Sequence, residues 1–314
     1  MYVQIKSIQD LTPSIRSFEL AAEDGGDLPE FTAGSHIDVI LDNGLIRQYS
    51  IASCCSERNH YIIGVLNDIN SRGGSSFIHQ QFKIGDQINI SEPRNLFKVH
   101  KNTNKACLFA GGIGITPILS IAYALKCKNI PFEFYYFVRD EKSIAFKKVL
   151  ETQFAQEIHF HIENDLNQQL NVNEILKNPE ENKHLYTCGP NGFMDFIFKT
   201  AENYHWNKDH LHKEHFVALP VADEINSEFK VKIASTGEII PIAVNESITD
   251  VLEKHGISIP VSCEQGICGT CLTNIVEGEP EHRDMFLTDE ERASNKIFTP
   301  CCSRSKSKTL ILDL

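Results

Sequence analysis

Apolar and polar positions alternate in short runs over the first part of the chain. The runs FTAGSHIDVIL, LIRQYSIAS, YIIGVLND and DQINISEPR are rich in β-branched and aromatic residues, and glycine, asparagine and aspartate separate them. Alternation with a period of two, broken by turn residues, is typical of half-buried antiparallel strands. The pattern predicts that residues 1–101 form a small antiparallel β-barrel.

The middle of the chain changes from alternation to continuous apolar runs. KACLFAGGIGITPILSIAYAL predicts a buried strand, a glycine turn and a helix with Pro117 near its first turn. FEFYYFVRD and HLYTCGP predict two later strands. Strands that alternate with helices indicate a doubly wound parallel sheet, here over residues 102–222. The glycines and Pro117 would break a spanning helix, so no membrane segment is predicted.

The last part of the chain predicts a third, ferredoxin-like β-grasp domain over residues 228–314. FKVKIAS and EIIPIAV form a predicted hairpin with a turn around Thr236 and Gly237. Ser247 and Asp250 indicate the start of a helix, and a cysteine loop and a final strand follow it. The predicted fold class is therefore a multi-domain α/β and β protein.

Three of the ten cysteines lie in the stretch CEQGICGTC, at Cys263, Cys268 and Cys271. The first residues, MYVQIKSIQDLTP, lack the features of a secretory signal. We therefore expect a cytoplasmic protein without stable disulfides, in which clustered cysteines hold a metal centre. The spacing C-x4-C-x2-C is that of plant-type 2Fe–2S ferredoxins, whereas zinc sites usually use two C-x2-C pairs.

The fourth ligand must come from Cys301 or Cys302, because no other cysteine follows Cys271. Adjacent side chains on an extended backbone point in opposite directions, so only one of the two faces the cluster. Spacing alone leaves this choice open. The other cysteines, Cys54, Cys55, Cys107 and Cys127, are predicted to be small core residues.

Two polar clusters in the predicted barrel suit a flavin nucleotide. The stretch Arg47-Gln48-Tyr49-Ser50 places a guanidinium, an aromatic ring and a hydroxyl on one strand. The stretch SRGGS, residues 71–75, offers backbone N–H groups, hydroxyls and a guanidinium for a phosphate. We expect Tyr49 to pack against the flavin ring and Ser50 to hydrogen-bond its N5 edge.

The glycine turn GGIGITP predicts a nucleotide site in the central domain. A strand-to-helix glycine turn lets a phosphate approach the backbone at a helix N-terminus. The turn does not follow the pattern G-x-G-x-x-G. It does not indicate whether the nucleotide is NADH or NADPH. The net charge of −12 argues against a nucleic acid partner, which would require a basic surface.

The motifs RQYS, SRGGS, GGIGITP, CGP and CEQGICGTC occur in this order and together resemble the phthalate dioxygenase reductase family. The resemblance covers essentially the whole chain. It implies an N-terminal FMN-binding domain, a central NADH-binding domain and a C-terminal plant-type 2Fe–2S ferredoxin domain. It also implies Cys301 as the fourth ligand, because the family ending is often Cys-Val-Ser-Arg and Cys302 falls on the valine.

The resemblance also assigns the nucleotide sites by position. Gln48 occupies a variable position of the flavin motif, and Phe216 matches an aromatic residue that can cover the flavin where nicotinamide enters. The matching cofactor-binding residues are Arg47, Gln48, Tyr49, Ser50, Arg72, Gly73, Gly74, Ser75, Gly111, Gly112, Gly114, Thr116, Pro117, Cys188, Gly189, Pro190 and Phe216; the iron ligands are Cys263, Cys268, Cys271 and Cys301.

The expected function is that of the reductase component of a two-component Rieske oxygenase. A flavin must lie between NADH and the cluster, because a hydride carries two electrons and the cluster accepts one at a time. No acid–base catalytic residue is expected. A vanillate-type O-demethylase is the favoured oxygenase. The alternatives are a carnitine, quaternary-amine or phthalate oxygenase, another electron acceptor, or a flavin-based redox sensor without turnover.

Overall fold

The computed structural model describes residues 1–68, 73–216 and 226–314. These residues form two compact units, Met1–His215 and Phe216–Leu314. The first unit contains the antiparallel and the parallel sheet, and the second contains the cysteine loop. Among the described residues, no helix combines the length and apolar character needed to cross a membrane.

The N-terminal part of the first unit is an antiparallel sheet with the strand order β4-β3-β6-β1-β2-β5, and β7 pairs with β3. An isolated bridge between Ile51 and Ile63 joins the two ends of this order. The alternating apolar residues, among them Phe18, Ile37 and Ile63, fill the core on one face. The elements are β1 (Tyr2–Asp10), β2 (Ile15–Ala21), β3 (Ser35–Ile40), β4 (Ile46–Ser50), β5 (Tyr61–Leu66), α1 (Gly74–Gln81), β6 (Gln87–Ile90) and β7 (Arg94–Asn95).

The remainder of the first unit is a parallel sheet with the order β10-β9-β8-β11-β12. The strand order reverses between β8 and β11, which is the topological switch point where open α/β sheets bind ligands. Apolar residues cover both faces, as a buried parallel sheet requires. The elements are β8 (Lys105–Gly111), α2 (Ile115–Cys127), β9 (Phe132–Val138), α3 (Lys147–Gln153), β10 (Ile158–Ile162), α4 (Val172–Leu176), β11 (Lys183–Cys188), α5 (Asn191–Asn203) and β12 (Leu211–Glu214).

The second unit is a small mixed sheet with the order β14-β13-β19-β15-β17. The predicted hairpin is present, with Gly237 at a φ of 76° in its turn, and the Ser247 side chain accepts a hydrogen bond from the Asp250 amide. The elements are β13 (Phe229–Ile233), β14 (Ile239–Ile242), α6 (Ile248–Lys254), β15 (Thr273–Glu277), β16 (Pro280–Glu281), α7 (Asp289–Ser294), β17 (Ile297–Phe298), β18 (Arg304–Ser305) and β19 (Thr309–Leu312).

Candidate functional site

The carboxyl ends of β8 and β11 meet so closely that only glycine fits between them. A Cβ on Gly114 would lie 2.1 Å from the carbonyl oxygen of Cys188, and a Cβ on Gly189 would lie 3.0 Å from the Cα of Gly111. Gly112 has a φ of 54°. The predicted glycine turn and the Cys-Gly-Pro turn therefore form one site at the switch point, with bare backbone available to a nucleotide.

Other residues, some of them predicted site residues, pack against this turn or hydrogen-bond to it. Thr116 and Pro117 are buried in the first turn of α2, and the Thr116 hydroxyl donates to the carbonyl of Ile113 at 3.1 Å. The Tyr136 hydroxyl donates to the carbonyl of Gly112 at 3.0 Å. Pro190 precedes α5 directly. Sequence reasoning missed Tyr136, although it lies on the strand next to the glycine turn.

The predicted phosphate site brings Arg47 and the start of α1 together. A Cβ on Gly74 would lie 2.5 Å from Cγ of Arg47, so the absence of a side chain there lets the Arg47 stem lie against the helix start. Gly73 precedes the helix with a φ of 90°, and the buried Ser75 hydroxyl accepts from the Asp68 amide at 3.3 Å. Arg72, the other predicted phosphate ligand, lies outside the described residues.

The rest of β4 divides its side chains between two environments. Tyr49 packs against the core of the antiparallel sheet, and burial raises the pKa of its hydroxyl. Gln48 donates to Asp38 Oδ1 at 3.0 Å, and Arg94 forms an ion pair with the other oxygen of Asp38 at 2.6 Å. Gln48 is thus engaged with its own sheet, whereas Ser50, at the strand end, is buried close to the parallel sheet.

Glu214 is a site residue that the sequence analysis missed. The Ser50 hydroxyl lies 3.4 Å from Glu214 Oε2, and Glu214 pairs in register with Cys188 on the adjacent strand. Burial raises the pKa of the Glu214 carboxyl to about 8, and burial also raises the pKa of the Cys188 thiol. A hydroxyl, a thiol and a protonated carboxyl therefore converge at neutral pH. The sequence offered one clue to Glu214. The stretch HKEHF places this acid two residues before Phe216, which the family resemblance had already assigned to the flavin site.

Phe216 belongs to the second unit, and its side chain is 38% exposed. An exposed aromatic ring is available for stacking. The covering of a flavin by Phe216 stays a prediction.

The thiols of Cys263 and Cys268 hydrogen-bond each other, and the Cys301 thiol hydrogen-bonds those of Cys271 and Cys302. Backbone N–H groups of Gln265 and the residue after Gly266 each approach Cys263 Sγ at 3.4 Å. Among the residues that the structure describes, no three His, Cys, Asp or Glu side chains surround a single metal ion. The thiols of Cys263, Cys268, Cys271 and Cys301 match in type and number the four sulfur ligands of a 2Fe–2S cluster.

The two candidates for the fourth ligand have different surroundings. The Cys301 thiol contacts the thiols of both Cys271 and Cys302, and the Cys302 thiol also lies 3.4 Å from the Thr299 hydroxyl and 3.9 Å from that of Ser303. Cys302 Sγ also occupies the space beside Gly266, where a Cβ would approach it to 2.5 Å. The direct contact with Cys271 favours Cys301 over Cys302 as the fourth ligand, which stays a prediction.

The segment of residues 282–287 covers the cysteine loop. The Met285 amide donates to the Gly266 carbonyl at 2.9 Å, and the Phe286 ring fills the space beside Gly269. The buried Asp284 carboxylate fixes this segment, because its Oδ2 accepts from the Phe286 and Leu287 amides at 3.1 and 2.8 Å. Gly266 and Gly269 have φ values of 70° and 69°, in the left-handed region that favours glycine. The covering segment was not predicted.

Four histidines form a separate stacked group at the amino ends of β11 and β12. Rings of His184 and His212 lie 5.1 Å apart, and their Nδ1 and Nε2 atoms approach to 2.9 Å. The His100 ring stacks on His184 at 4.8 Å, and the His210 ring is tilted against His184 at 4.3 Å. Burial, followed by the neighbouring histidines, lowers the pKa of His184 and of His212 to about 4. His184 and His212 are therefore neutral at pH 7.

Comparisons with known proteins agree with this arrangement. Residues 231–306 match the model of the 2Fe-2S iron-sulfur cluster binding domain. The vanillate O-demethylase oxidoreductase of Acinetobacter baylyi is 54% identical over 314 residues, which are 100% of this chain and 99% of that protein. The carnitine monooxygenase reductase subunit of Escherichia coli is 37% identical over 317 residues, with 99% and 98% covered.

A solved structure extends the agreement to the fold. Phthalate dioxygenase reductase, described as a modular structure for electron transfer from pyridine nucleotides to [2Fe-2S], matches with a TM-score of 0.77 and 35% identity over 100% of this chain and 98% of that one. The match confirms the predicted fold class, with antiparallel, parallel α/β and ferredoxin-like parts in one chain.

Proposed function

Because the chain belongs to the phthalate dioxygenase reductase family, we propose that it carries electrons from NADH through FMN and a 2Fe–2S cluster to a separate oxygenase. The observation that carries this proposal is the presence of two different candidate redox sites in one chain. One is a nucleotide site where Ser50, Cys188 and Glu214 converge, and the other is a set of paired thiols.

The residues of the antiparallel sheet fit a flavin mononucleotide. The Arg47 guanidinium and the backbone at the start of α1 bind its phosphate, because Gly74 leaves room for that side chain. Tyr49 packs against the ring and Ser50 hydrogen-bonds the N5 edge. Bound FMN accepts two electrons as a hydride and releases them singly, which links NADH to a one-electron cluster.

The parallel sheet binds and orients NADH. The backbone of the turn around Gly111 and Gly114 binds its phosphates at the switch point, and Cys188 lies beside the nicotinamide. Glu214 keeps its proton at neutral pH, since burial raises its pKa to about 8, and it holds the Ser50 hydroxyl in place. Hydride transfer needs position and a dry environment here, so none of these groups acts as an essential general base.

The four thiols would hold the cluster. Cys263 and Cys268 would supply two of its sulfur ligands, and Cys271 and Cys301 the other two. The N–H groups that point at the Cys263 sulfur would stabilise the negative charge of its thiolate.

We infer a Rieske-type oxygenase as the partner, with a vanillate-type O-demethylase favoured by the 54% identical relative. A carnitine-type oxygenase is the second candidate, supported by the 37% identical reductase subunit. Reduction of each purified oxygenase by this chain and NADH distinguishes the two. The faster electron transfer identifies the partner, and equal slow rates with both would argue for a different acceptor.

The acidic helix α7 offers a surface for docking the oxygenase. Glu290 is exposed, whereas Glu291 accepts from the Thr288 amide at 2.8 Å and completes a capping box. Glu290→Lys should therefore reverse a charge without loss of the helix cap. We expect slower oxygenase reduction, increasingly so at low salt, and unchanged reduction of a small artificial dye. Equal slowing of both acceptors would contradict docking through this helix.

An anaerobic titration of the purified protein with NADH tests the proposed function. Flavin absorbance should bleach, and a rhombic EPR signal of a reduced 2Fe–2S cluster should appear at low temperature. Bleaching without this signal would show that the thiol pairs hold something else. No bleaching would show that the nucleotide site does not accept a hydride.

A further inference from the structure

Two free cysteines lie close together between the antiparallel sheet and helix α2 of the first unit, outside both candidate redox sites. Sγ of Cys54 lies 4.0 Å from Sγ of Cys127. Cys54 follows β4 of the antiparallel sheet, and Cys127 is the last residue of α2. Cys54 is buried, as predicted for a core residue, but Cys127 is exposed, so that prediction was wrong for Cys127.

Hydrogen bonds of the neighbouring residue Ser53 position the loop before Cys54 against helix α2. The hydroxyl of Ser53 accepts from the Ile62 amide at 3.2 Å, and its carbonyl accepts from the Ser120 hydroxyl at 3.4 Å. Ser120 and Cys127 are seven residues apart on α2 and therefore share one helix face. The loop before Cys54 thus lies along that face, and the two thiols meet at its end.

From this geometry we propose that Cys54 and Cys127 are a modification site, at which oxidation by a peroxide forms a disulfide between the loop after β4 and helix α2. The sulfurs need to approach by about 2 Å to reach bonding distance, which side-chain rotation supplies. Cys55, the adjacent thiol, packs against the apolar cores of both sheets and serves as an internal control.

The reaction balances with hydrogen peroxide as the oxidant. The exposed Cys127 thiolate attacks one peroxide oxygen, the O–O bond breaks, and a sulfenic acid and one water result. Cys54 sulfur then displaces the sulfenic oxygen as a second water, and the S–S bond forms. The two thiols lose two electrons and two protons, which reduce the peroxide to two waters. Partial burial and the nearby Cys54 raise the pKa of Cys127, so we expect a slow reaction.

Peptide mapping of the full-length protein tests the proposal. Protein treated with hydrogen peroxide or with dithiothreitol is alkylated in denaturant and digested with chymotrypsin, which places the cysteines on peptides 50–61 and 126–132. We expect these peptides to be linked after peroxide only, with fragment ions that place the bond on Cys54. Cys127→Ser should abolish the link, and Cys55→Ser should retain it.

Thermal unfolding provides a second measurement. The disulfide closes a loop of 73 residues, so the oxidised protein should have a Tm several degrees above that of the reduced protein. Cys127→Ser, at an exposed position, should remove this difference without harm to folding. Alkylation of both Cys54 and Cys127 after peroxide, or a bond between Cys55 and Cys127, would overturn the proposal. The peptide linkage is measured on denatured, digested protein and therefore does not depend on flavin or cluster content.

Discussion

Gly269→Ala should damage the second unit far more than an equivalent change elsewhere in it. A Cβ at this position would lie 2.3, 2.5 and 2.6 Å from three ring carbons of Phe286. The ring cannot move away cheaply, because the Phe286 amide donates to the buried Asp284 carboxylate at 3.1 Å. Gly237 is a matched control, since its φ of 76° resembles the 69° of Gly269 and no atom lies within 4 Å of its Cβ position.

The two substitutions separate backbone strain from the steric clash. Alanine in the left-handed region costs about 1–2 kcal/mol, which both variants incur. Overpacking adds about 1–3 kcal/mol at Gly269 alone. We therefore expect Gly237→Ala to lower the free energy of unfolding by about 1–2 kcal/mol and Gly269→Ala by about 2–5 kcal/mol.

Urea unfolding and iron content per chain measure these effects. Iron occupancy should fall in Gly269→Ala, because the clash displaces the loop between Cys268 and Cys271, and should stay near wild type in Gly237→Ala. Phe286→Ala combined with Gly269→Ala should remove the steric part of the loss. Equal losses in both single variants would refute the reasoning that Phe286 packing requires a glycine.

Three further predictions concern the thiols, the histidine group and the buried carboxyl. Cys301→Ser should lose the visible absorbance of the cluster and cytochrome c reduction while flavin reduction by NADH survives, and Cys302→Ser should keep both; the reverse pattern would show Cys302 to be the ligand. His184 has a folded-state pKa of about 4, below the value of 6.5 when unfolded, so stability should fall as pH drops from 6.5 to about 4. His184→Phe should lower the midpoint of acid unfolding, and an unchanged midpoint would contradict this account. Glu214 has its pKa raised from 4.5 to about 8, so its contribution to stability is present at low pH and lost as pH rises through this range. Glu214→Gln should remove that loss in pH-dependent unfolding and keep flavin reduction below pH 8; a wild-type pH profile in the variant would contradict a protonated carboxyl.

Local signals in the sequence determined much of the fold and of the redox sites. The strand, glycine turn and helix around Gly114 follow from neighbouring residues, because turn geometry and helix starts depend on a few adjacent positions. The spacing of Cys263, Cys268 and Cys271 likewise indicated a cluster, since one loop must wrap around it. The resemblance of ordered motifs added the domains and cofactors.

Only the tertiary structure decided which distant residues meet. Ser50 and Glu214 are 164 residues apart, and Cys54 and Cys127 are 73 apart. Neither pairing leaves a periodic pattern, because it arises from the packing of separate sheets and not from neighbouring positions. The chain therefore specifies its elements and its cluster motif through neighbouring residues. The burial that keeps Glu214 protonated, and the approach of the Cys54 and Cys127 thiols, arise only once the sheets have packed.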